Sequence, residues 1–422
     1  MMAVPVRRSS VWIAALGVVL VLPWIFSSGF AITTLNQMGV LIIFALAYNM
    51  LLGQGGMLSF GHAVYFGIAG YCVAHYLNGM GEGLFPYIPV SLLPLVGALA
   101  GLLIGIPIGF VSTRRAGTVF AMISLGFAEM ATALTLIVVV FFNGEEGVQT
   151  DRWVGPEPFG ITYGSDLQVY YLIAAWCLAA TLAMYALTRT PFGRISNAVR
   201  DNPERAQFIG YNTRRVRWLA FSLSSFFTGM AGALHALNVE HVGFETVGLG
   251  QSGIVLFMVW IGGARSFGGP ILGAILITFL NSNLSGVTGA WLLYLGIIFM
   301  TIVMFAQDGL SGLILMHERL WRTDLRLFWP MVGPYAWGIG TTLVSCIGAI
   351  GLMELIYFMS TKSTRDTEMV LYAIPLDAAS VPPWLVCATI AGIGAVACRR
   401  SYPRMAASYN DAIEEAKARA TR

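Results

Sequence analysis

Apolar runs near 20 residues recur along the whole chain, and they constrain its fold more than any other feature. Such a run is long enough to cross the hydrocarbon core of a bilayer, which is about 30 Å thick. Apolar residues make up 57% of the chain and charged residues 11%, against about 45–50% and roughly 25% in an ordinary soluble domain. A soluble fold could not bury this much apolar surface. The sequence therefore predicts an all-α polytopic integral membrane protein.

Twelve apolar segments are candidate membrane passes. They cover residues 11–26, 31–52, 63–78, 89–112, 117–142, 168–188, 218–238, 250–264, 267–287, 290–306, 335–358 and 382–398. The first segment also resembles a secretory signal, because Arg7 and Arg8 precede it. Its apolar stretch is slightly longer than the usual 7–15 residues of a signal. We interpret it as an uncleaved helix.

The basic residues are distributed unevenly between the loops. With the amino terminus inside, all but three of the 24 Lys and Arg residues fall on the cytoplasmic side, the exceptions being Arg152, Lys362 and Arg365. Cytoplasmic loops of membrane proteins carry an excess of basic residues. We therefore expect twelve passes with both termini cytoplasmic. The five cysteines lie within predicted passes without metal-ligand spacing, which favours apolar packing over disulfides.

The passes divide into a core and a C-terminal extension. Residues 1–313 hold ten passes joined by short loops, and residues 314–334 form a basic, aromatic linker of the kind found at membrane interfaces. Residues 335–398 are predicted to form a two-helix hairpin, and residues 399–422 a charged cytoplasmic tail.

A polar segment from Arg189 to Arg217 interrupts the apolar pattern, and we call it the arginine-rich segment. It carries seven arginines and no lysine. Within it Glu204 is followed at +2 by Ala206 and at +6 by Gly210. A polar island on one face of a membrane protein is a natural docking surface for a soluble partner.

A second exception is the glycine-rich break, residues 53–62, which lies between two apolar runs. Four glycines occur in it, and each weakens a helix by up to about 1 kcal/mol relative to alanine. Non-helical backbone at membrane depth lies against protein or a water-filled cavity, and broken helices often mark the substrate path of a transporter. A cytoplasmic connection between two passes explains the same composition equally well. The candidate path residues here are Asn49, Gln54, Ser59 and His62.

Glu129 lies midway through the apolar run from Thr118 to Phe142. A charged carboxylate at that depth costs about 2.5–3.5 kcal/mol or more. It should therefore face protein or a polar path, so structural hydrogen bonding and a role beside the path are both open. A further glycine-rich stretch, residues 262–270, contains Arg265 and a Gly-Pro pair and is predicted to be an inner-face turn.

Enzyme signatures are weak. Gly309-Leu310-Ser311-Gly312 matches the bare motif of intramembrane serine proteases, but glycine is also an ordinary cap at a helix end. His241 and Glu245 have a spacing that could bind a metal, without a third ligand. A phosphate-binding loop requires Gly-Lys-Ser/Thr, and neither lysine follows a glycine. We therefore predict no catalysis, no cofactor in this chain and no nucleic-acid partner.

Three motifs together resemble the permease subunits of bacterial ABC importers for branched-chain amino acids, of the LivM-like type. They are the glycine-rich break continued to Tyr71, the run from Thr190 to Asn212, and the turn Gly262–Gly273. The sequence around Glu129 also fits the family pattern. The resemblance spans roughly residues 31–312, after which the chain departs from it.

The resemblance implies a type II-like permease core of about ten passes in the bacterial inner membrane, here with a two-pass C-terminal extension. It implies as partners a second homologous permease subunit, two cytoplasmic ATPase subunits that bind ATP, and a periplasmic solute-binding protein. The outer loop 143–166 is a candidate contact for the binding protein. Coupling to the ATPase is assigned to Arg194, Arg200, Asp201, Pro203, Glu204, Ala206 and Gly210.

The implied function is ATP-driven alternating access for branched-chain or other hydrophobic amino acids, or for related small amides and carboxylates. The alternative is a proton- or ion-coupled secondary transporter that uses Glu129 as its proton site.

Overall fold

The chain folds mainly into helices. The computed structural model describes residues 5–154, 160, 162–306, 308–318, 320, 329–361, 368–372 and 374–420. The helices are α1 (Pro5–Ile25), α2 (Gly29–Leu52), α3 (Ala63–Gly81), α4 (Leu93–Ser112), α5 (Thr118–Ile137), α6 (Val139–Phe142), α7 (Asp166–Arg189), α8 (Pro191–Asp201), α9 (Pro203–Phe208), α10 (Thr213–Val239), α11 (Leu249–Gly262), α12 (Gly269–Leu284), α13 (Trp291–Phe305), α14 (Gly309–Met316), α15 (Trp329–Thr361) and α16 (Val381–Ala420). Two antiparallel strand pairs join β1 (Val148–Gln149) to β2 (His241–Val242) and β3 (Glu368–Leu371) to β4 (Ile374–Asp377).

Each predicted pass falls on one or two of these helices. Among the described residues, seven helices are long and apolar enough to cross a membrane, and α13 with α14 would make an eighth. The apolar part of α1 and the helices α11 and α12 are shorter. The all-α polytopic architecture is confirmed, whereas the count of twelve crossings stays a prediction.

The chain divides into two compact units. The first comprises Met1–Val287 and Leu295–Gly312, and the second comprises Thr288–Tyr294 and Leu313–Arg422. The predicted linker 314–334 lies partly outside the described residues, and α15 begins at Trp329 rather than at residue 335. Helix α16 continues to Ala420, so the predicted tail extends the last predicted pass as one helix.

Helix α10 is the centre of the first unit, where it packs on α2, α3 and α4. Helix α4 carries a glycine at every fourth position from Gly97 to Gly109. A Cβ atom at Gly101 would collide with the backbone of Ser225 and Gly229 on α10. The two helices can approach this closely only because small residues line the contact, as is common in membrane proteins. Helix α10 is therefore held firmly along its length.

The second unit is an antiparallel pair made by α15 and α16. Near one end, β3 and β4 fold over a cluster formed by Leu355, Leu371, Ala378 and Cys387. A separate cluster joins Leu320 and Met331 to the last part of α16 through Ala412 and Ala416. The hairpin β3–β4 was not predicted from the sequence, and the preceding polar residues 362–367 lie outside the described residues.

Candidate functional site: the arginine-rich segment and the glycine-rich break

The arginine-rich segment folds into two short helices between the long helices α7 and α10. The side chains of Thr190 and Asn202 cap α8 and α9 by accepting hydrogen bonds from backbone amides. A proline follows each cap, at the helix position where a missing N–H has no cost. Gly210 closes α9 with a φ of 94°, a conformation that favours glycine. The cap residues thus explain why this polar stretch is helical.

Helix α9 presents an apolar surface to solvent. Ala206 points inward and is 2% exposed, whereas Phe208 is 89% exposed and Ile209 is 66% exposed. Gly210 follows them with open space around it. Large exposed apolar side chains grouped in a charged segment indicate a binding surface. Phe208 and Ile209 were absent from the predicted coupling residues, although two adjacent apolar residues among arginines are the signal that finds them.

The other predicted coupling residues lie around this surface. Arg194, Asp201 and Glu204 are exposed, and Pro203 is half-buried at the start of α9. Their charges are available to a partner, so the structure brings the predicted set together on one segment.

Arg200 connects the arginine-rich segment to the glycine-rich break. Its guanidinium group donates a hydrogen bond to the carbonyl of Gly53 and pairs with Asp201 at 2.8 Å. Its aliphatic stem covers Gly56, where an added Cβ would lie 2.7 Å from the Arg200 Cγ. The hydroxyl of Ser196 donates to the carbonyl of Gln54 at 3.4 Å. Arg200 and Ser196 thus connect α8 directly to the break.

The glycine-rich break is irregular and mostly buried. Tyr48 donates a hydrogen bond to the carbonyl of Ser59 at 2.8 Å, and the Phe60 amide donates to the hydroxyl of Ser124 on α5 at 3.0 Å. The amide of Ala63 donates to the hydroxyl of Ser252 on α11 at 3.0 Å. Serine hydroxyls from α5 and α11 thus satisfy backbone groups that an unbroken helix would pair internally.

His62, the last residue of the break, is fully buried. Four rings surround its imidazole and form what we call the aromatic cage: Phe44, Tyr48, Tyr65 and Phe221. The His62 Nε2 atom lies 2.9 Å from the hydroxyls of both Ser224 and Thr228 on α10. Ser224 donates its own proton to the carbonyl of Ala47, so it accepts from Nε2, which carries the proton. His62 therefore fixes the start of α3 to α10.

The contacts of His62 show how far along α10 the break extends. Ser224 and Thr228 flank the middle of α10, whose 27 residues span about 40 Å. The break therefore begins at the arginine-rich segment and ends halfway along the longest helix of the first unit. This geometry favours the broken-helix interpretation over a cytoplasmic connection.

The predicted path residues Asn49 and Ser59 are 2% and 1% exposed. With His62 and Gln54 they gather around the break, but Asn49, Ser59 and His62 are packed within protein rather than lining open space.

Comparison with known proteins decides the family. A family model described as the permease component of the branched-chain amino acid transport system matches residues 30–307. The chain belongs to this permease family. It is consequently a permease subunit of an ABC importer and a multi-pass protein of the bacterial inner membrane. The family is one of transport permeases, which favours ATP-driven import over the proton-coupled alternative.

Individual relatives show the same similarity. The permease is 27% identical to the high-affinity branched-chain amino acid transport system permease protein LivM of Escherichia coli (strain K12) over 327 residues, which cover 72% of this chain and 75% of LivM. It is 28% identical over 245 residues to the autoinducer 2 import system permease protein LsrC of Salmonella typhi, covering 55% of this chain and 63% of LsrC. It is 25% identical over 219 residues to the ribose import permease protein RbsC of Escherichia coli (strain K12), covering 46% and 67%. No solved structure matches the permease.

Glu129 lies apart from the other predicted path residues. Its neighbour Ala128 is buried in the cluster that includes Tyr71 and Val247, whereas Glu129 is on the exposed side of α5. Met122 and Met130, also exposed, accompany it. Because a carboxylate facing lipid in mid-helix is costly, this side of α5 must meet protein or water when the permease is in the membrane.

The loop after α6, which was predicted to lie on the outer side, contacts the end of α10. Arg152, whose side chain is 8% exposed, lies 3.1 Å from the carboxylate of Asp166 and 3.7 Å from that of Glu240. Its guanidinium group also donates at 3.3 Å to the carbonyls of Leu237 and Asn238. A cation at the C-terminal end of a helix is favourable, and the pairing of β1 with β2 adds a second connection. Arg152 is therefore buried and links this loop to the end of α10, so its side chain is not available as a surface contact.

Two other predicted features can be placed in the structure. His241 lies in β2, opposite Gln149 of β1. Within the part of the chain that the structure describes, no three His, Cys, Asp or Glu side chains are grouped so as to hold a metal ion. Residues 262–270 form the turn that was expected between α11 and α12, and in this turn Arg265 pairs with Asp308 at 2.6 Å.

Proposed function

We propose that this permease carries branched-chain or other hydrophobic amino acids into the cell, driven by ATP that partner subunits bind and hydrolyse. The family description and LivM support this substrate class. The similarity to LivM extends over more of the chain than the similarity to LsrC or RbsC. Those two names show that members of the wider group import other solutes.

The observation that carries the proposed mechanism is the contact between Arg200 and Gly53. Helix α9 docks in a groove of a cytoplasmic ATPase subunit through Phe208 and Ile209, because these apolar side chains are exposed beside charged residues. Closure of the ATPase dimer moves α9 and α8 together, and Arg200 passes this displacement to the glycine-rich break.

The displacement then reaches the middle of the membrane. The break ends at His62, which is hydrogen-bonded to α10, and the far end of α10 is held by Arg152 to the outer loop. ATP binding changes the populations of inward- and outward-open states only if these contacts differ between the two states. Helix α10 is the element through which the cytoplasmic and outer ends communicate.

Two further partners complete the importer. The exposed side of α5 around Glu129 meets a second homologous permease subunit and the water-filled path between the two, since this removes the carboxylate from lipid. A periplasmic solute-binding protein contacts the outer loop, where Glu145, Glu146 and Asp151 are exposed. Both termini lie in the cytoplasm, as the distribution of basic residues indicates.

Reconstitution in liposomes tests this proposal. The permease is combined with a second permease subunit, ATPase subunits and a solute-binding protein. Uptake of radiolabelled leucine, valine and ribose is measured with ATP on the side of the membrane where the ATPase subunits lie. We expect leucine or valine to accumulate and ribose to remain outside. Accumulation of ribose alone would refute the substrate class and leave the ATP-driven mechanism standing. The absence of ATP-dependent uptake for every solute that the binding protein holds would refute the mechanism.

A further inference from the structure

The second unit carries an open groove of about 510 Å³ between the faces of α15 and α16. One residue of α15 and six of α16 line it: Trp337, Gly392, Ile393, Val396, Ala397, Arg400 and Arg404. This groove is independent of the arginine-rich segment, the glycine-rich break and the transport function proposed above.

The lining residues of α16 form one stripe along the helix. Their spacing of three and four residues places them on a single face. The stripe is apolar from Gly392 to Ala397 and ends in two arginines one helical turn apart. Ile393 is 69% exposed, and Trp337 on the facing helix is 63% exposed. The groove therefore has an apolar wall about 8 Å long and a cationic end.

The two arginines lack a counter-charge in the described part of the chain. No carboxylate within 4.0 Å of Arg400 or Arg404 is found there, and both side chains are exposed. Like charges at this spacing repel each other on a helix surface. An anion bound between them would remove the repulsion and gain two charge-assisted hydrogen bonds.

The place of the groove along α16 indicates where that anion comes from. The apolar stretch of the helix, residues 382–398, ends directly before the arginines, so Arg400 and Arg404 lie where the helix leaves the hydrocarbon. Tryptophan is enriched at the same level of a membrane. Basic pockets between membrane helices bind the head groups of anionic lipids.

We propose that this groove binds one anionic phospholipid. The lipid phosphate lies between Arg400 and Arg404, and one acyl chain follows Val396 and Ile393 along the apolar wall beside Trp337. A free phosphate ion would use the arginines alone and would gain nothing from the apolar wall. The exposed apolar side chains beside the two arginines, Ile393, Val396 and Trp337, are the reason for assigning a lipid rather than a soluble anion.

Titration of the purified full-length permease in detergent tests this assignment. Phosphatidylglycerol, phosphatidylcholine and inorganic phosphate are added separately, and bound molecules are counted by native mass spectrometry. We expect one tightly bound phosphatidylglycerol and no comparable binding of phosphatidylcholine. Arg400→Gln should weaken phosphatidylglycerol binding about fivefold, the effect of one basic residue near a membrane surface. Arg399→Gln is the matched control, since Arg399 is exposed on the same helix and does not line the groove.

A second variant tests the apolar wall without changing charge. A Cβ atom at Gly392 meets no atom within 4 Å, so Gly392→Leu fits the helix and fills the groove. It should abolish phosphatidylglycerol binding, while Gly296→Leu, another open helix position, should not. Unchanged binding in both Arg400→Gln and Gly392→Leu would overturn the proposal. Inorganic phosphate that displaces phosphatidylglycerol at equal concentration, or that binds unaffected by Gly392→Leu, would reassign the groove to a soluble anion.

Discussion

Replacement of Phe208 by alanine is the sharpest test of the docking surface on α9. The side chain is 89% exposed in the permease alone, so it contributes little to the stability of the fold. If it enters a groove of the ATPase, almost its whole surface is buried on docking. Complete burial of a phenylalanine side chain contributes about 1.5–3 kcal/mol. Loss of that amount weakens binding roughly 10- to 150-fold.

The assay is a titration of the purified ATPase subunit onto the permease held in lipid nanodiscs. We expect the dissociation constant for Phe208→Ala to rise within that range, while the thermal midpoint of the permease is unchanged. Tyr402→Ala is the matched control, because Tyr402 is a similarly exposed aromatic side chain, 70% exposed on α16. It should leave binding unaltered.

The reasoning would be refuted by a Phe208→Ala variant that binds the ATPase as tightly as the unaltered permease. A variant that unfolds would instead show that the side chain is buried in the permease itself. Equal losses in Phe208→Ala and Tyr402→Ala would mean that the assay reports general surface damage.

Three further predictions follow from the contacts of the site and the division of the chain. Arg200→Gln should leave ATPase binding intact and reduce ATP-driven uptake, whereas Arg399→Gln, which removes an exposed arginine outside the arginine-rich segment, should have little effect; equal uptake in both variants would contradict the link to the glycine-rich break. Ser224→Ala should destabilise the permease by about 1–3 kcal/mol because it leaves His62 and a carbonyl group short of a partner, and Thr228→Val should cost less; thermal unfolding in detergent compares the two, and the reverse order would be inconsistent with the hydrogen bonds described. Truncation after Arg326 should leave a permease that inserts, assembles and transports, so an assembled but inactive truncation would assign the C-terminal extension a part in transport.

Much of the architecture follows from local chemistry and could be predicted. Apolar runs near 20 residues must become helices in a bilayer, since every backbone polar group there needs a partner within the segment. The caps of α8 and α9 could also have been predicted, because Thr190-Pro191 and Asn202-Pro203 are helix start signals that do not depend on tertiary structure.

The depth of the glycine-rich break could not be predicted in the same way. Glycine content shows that the helix unwinds at residues 53–62, but it does not tell whether the chain unwinds at the surface or within the bundle. That depends on serine hydroxyls far away in sequence, at Ser124 and Ser252, which satisfy the exposed backbone groups. The burial of Arg152 likewise depends on Glu240, 88 residues further along the chain. Single-sequence patterns carry no information about such pairs.

Glu129 illustrates a different limit. Its cost in an apolar helix was evident, and the inference that it meets protein or a polar path still applies to its exposed side of α5. The sequence did not indicate that this side faces away from the permease core, because apolar methionines accompany the carboxylate on this side of α5. From one sequence, a residue that contacts a partner subunit is hard to distinguish from a residue that packs within its own chain.

The most direct test of the account is the energy source of transport by the assembled permease. Liposomes that contain the permease with its partner subunits are supplied either with ATP and no ion gradient or with a proton gradient and no ATP. We predict solute accumulation with ATP alone, reduced accumulation in Arg200→Gln despite normal ATPase binding, and no accumulation from the proton gradient. Uptake by the permease driven by the proton gradient without ATP, and abolished by Glu129→Gln, would contradict the central claim.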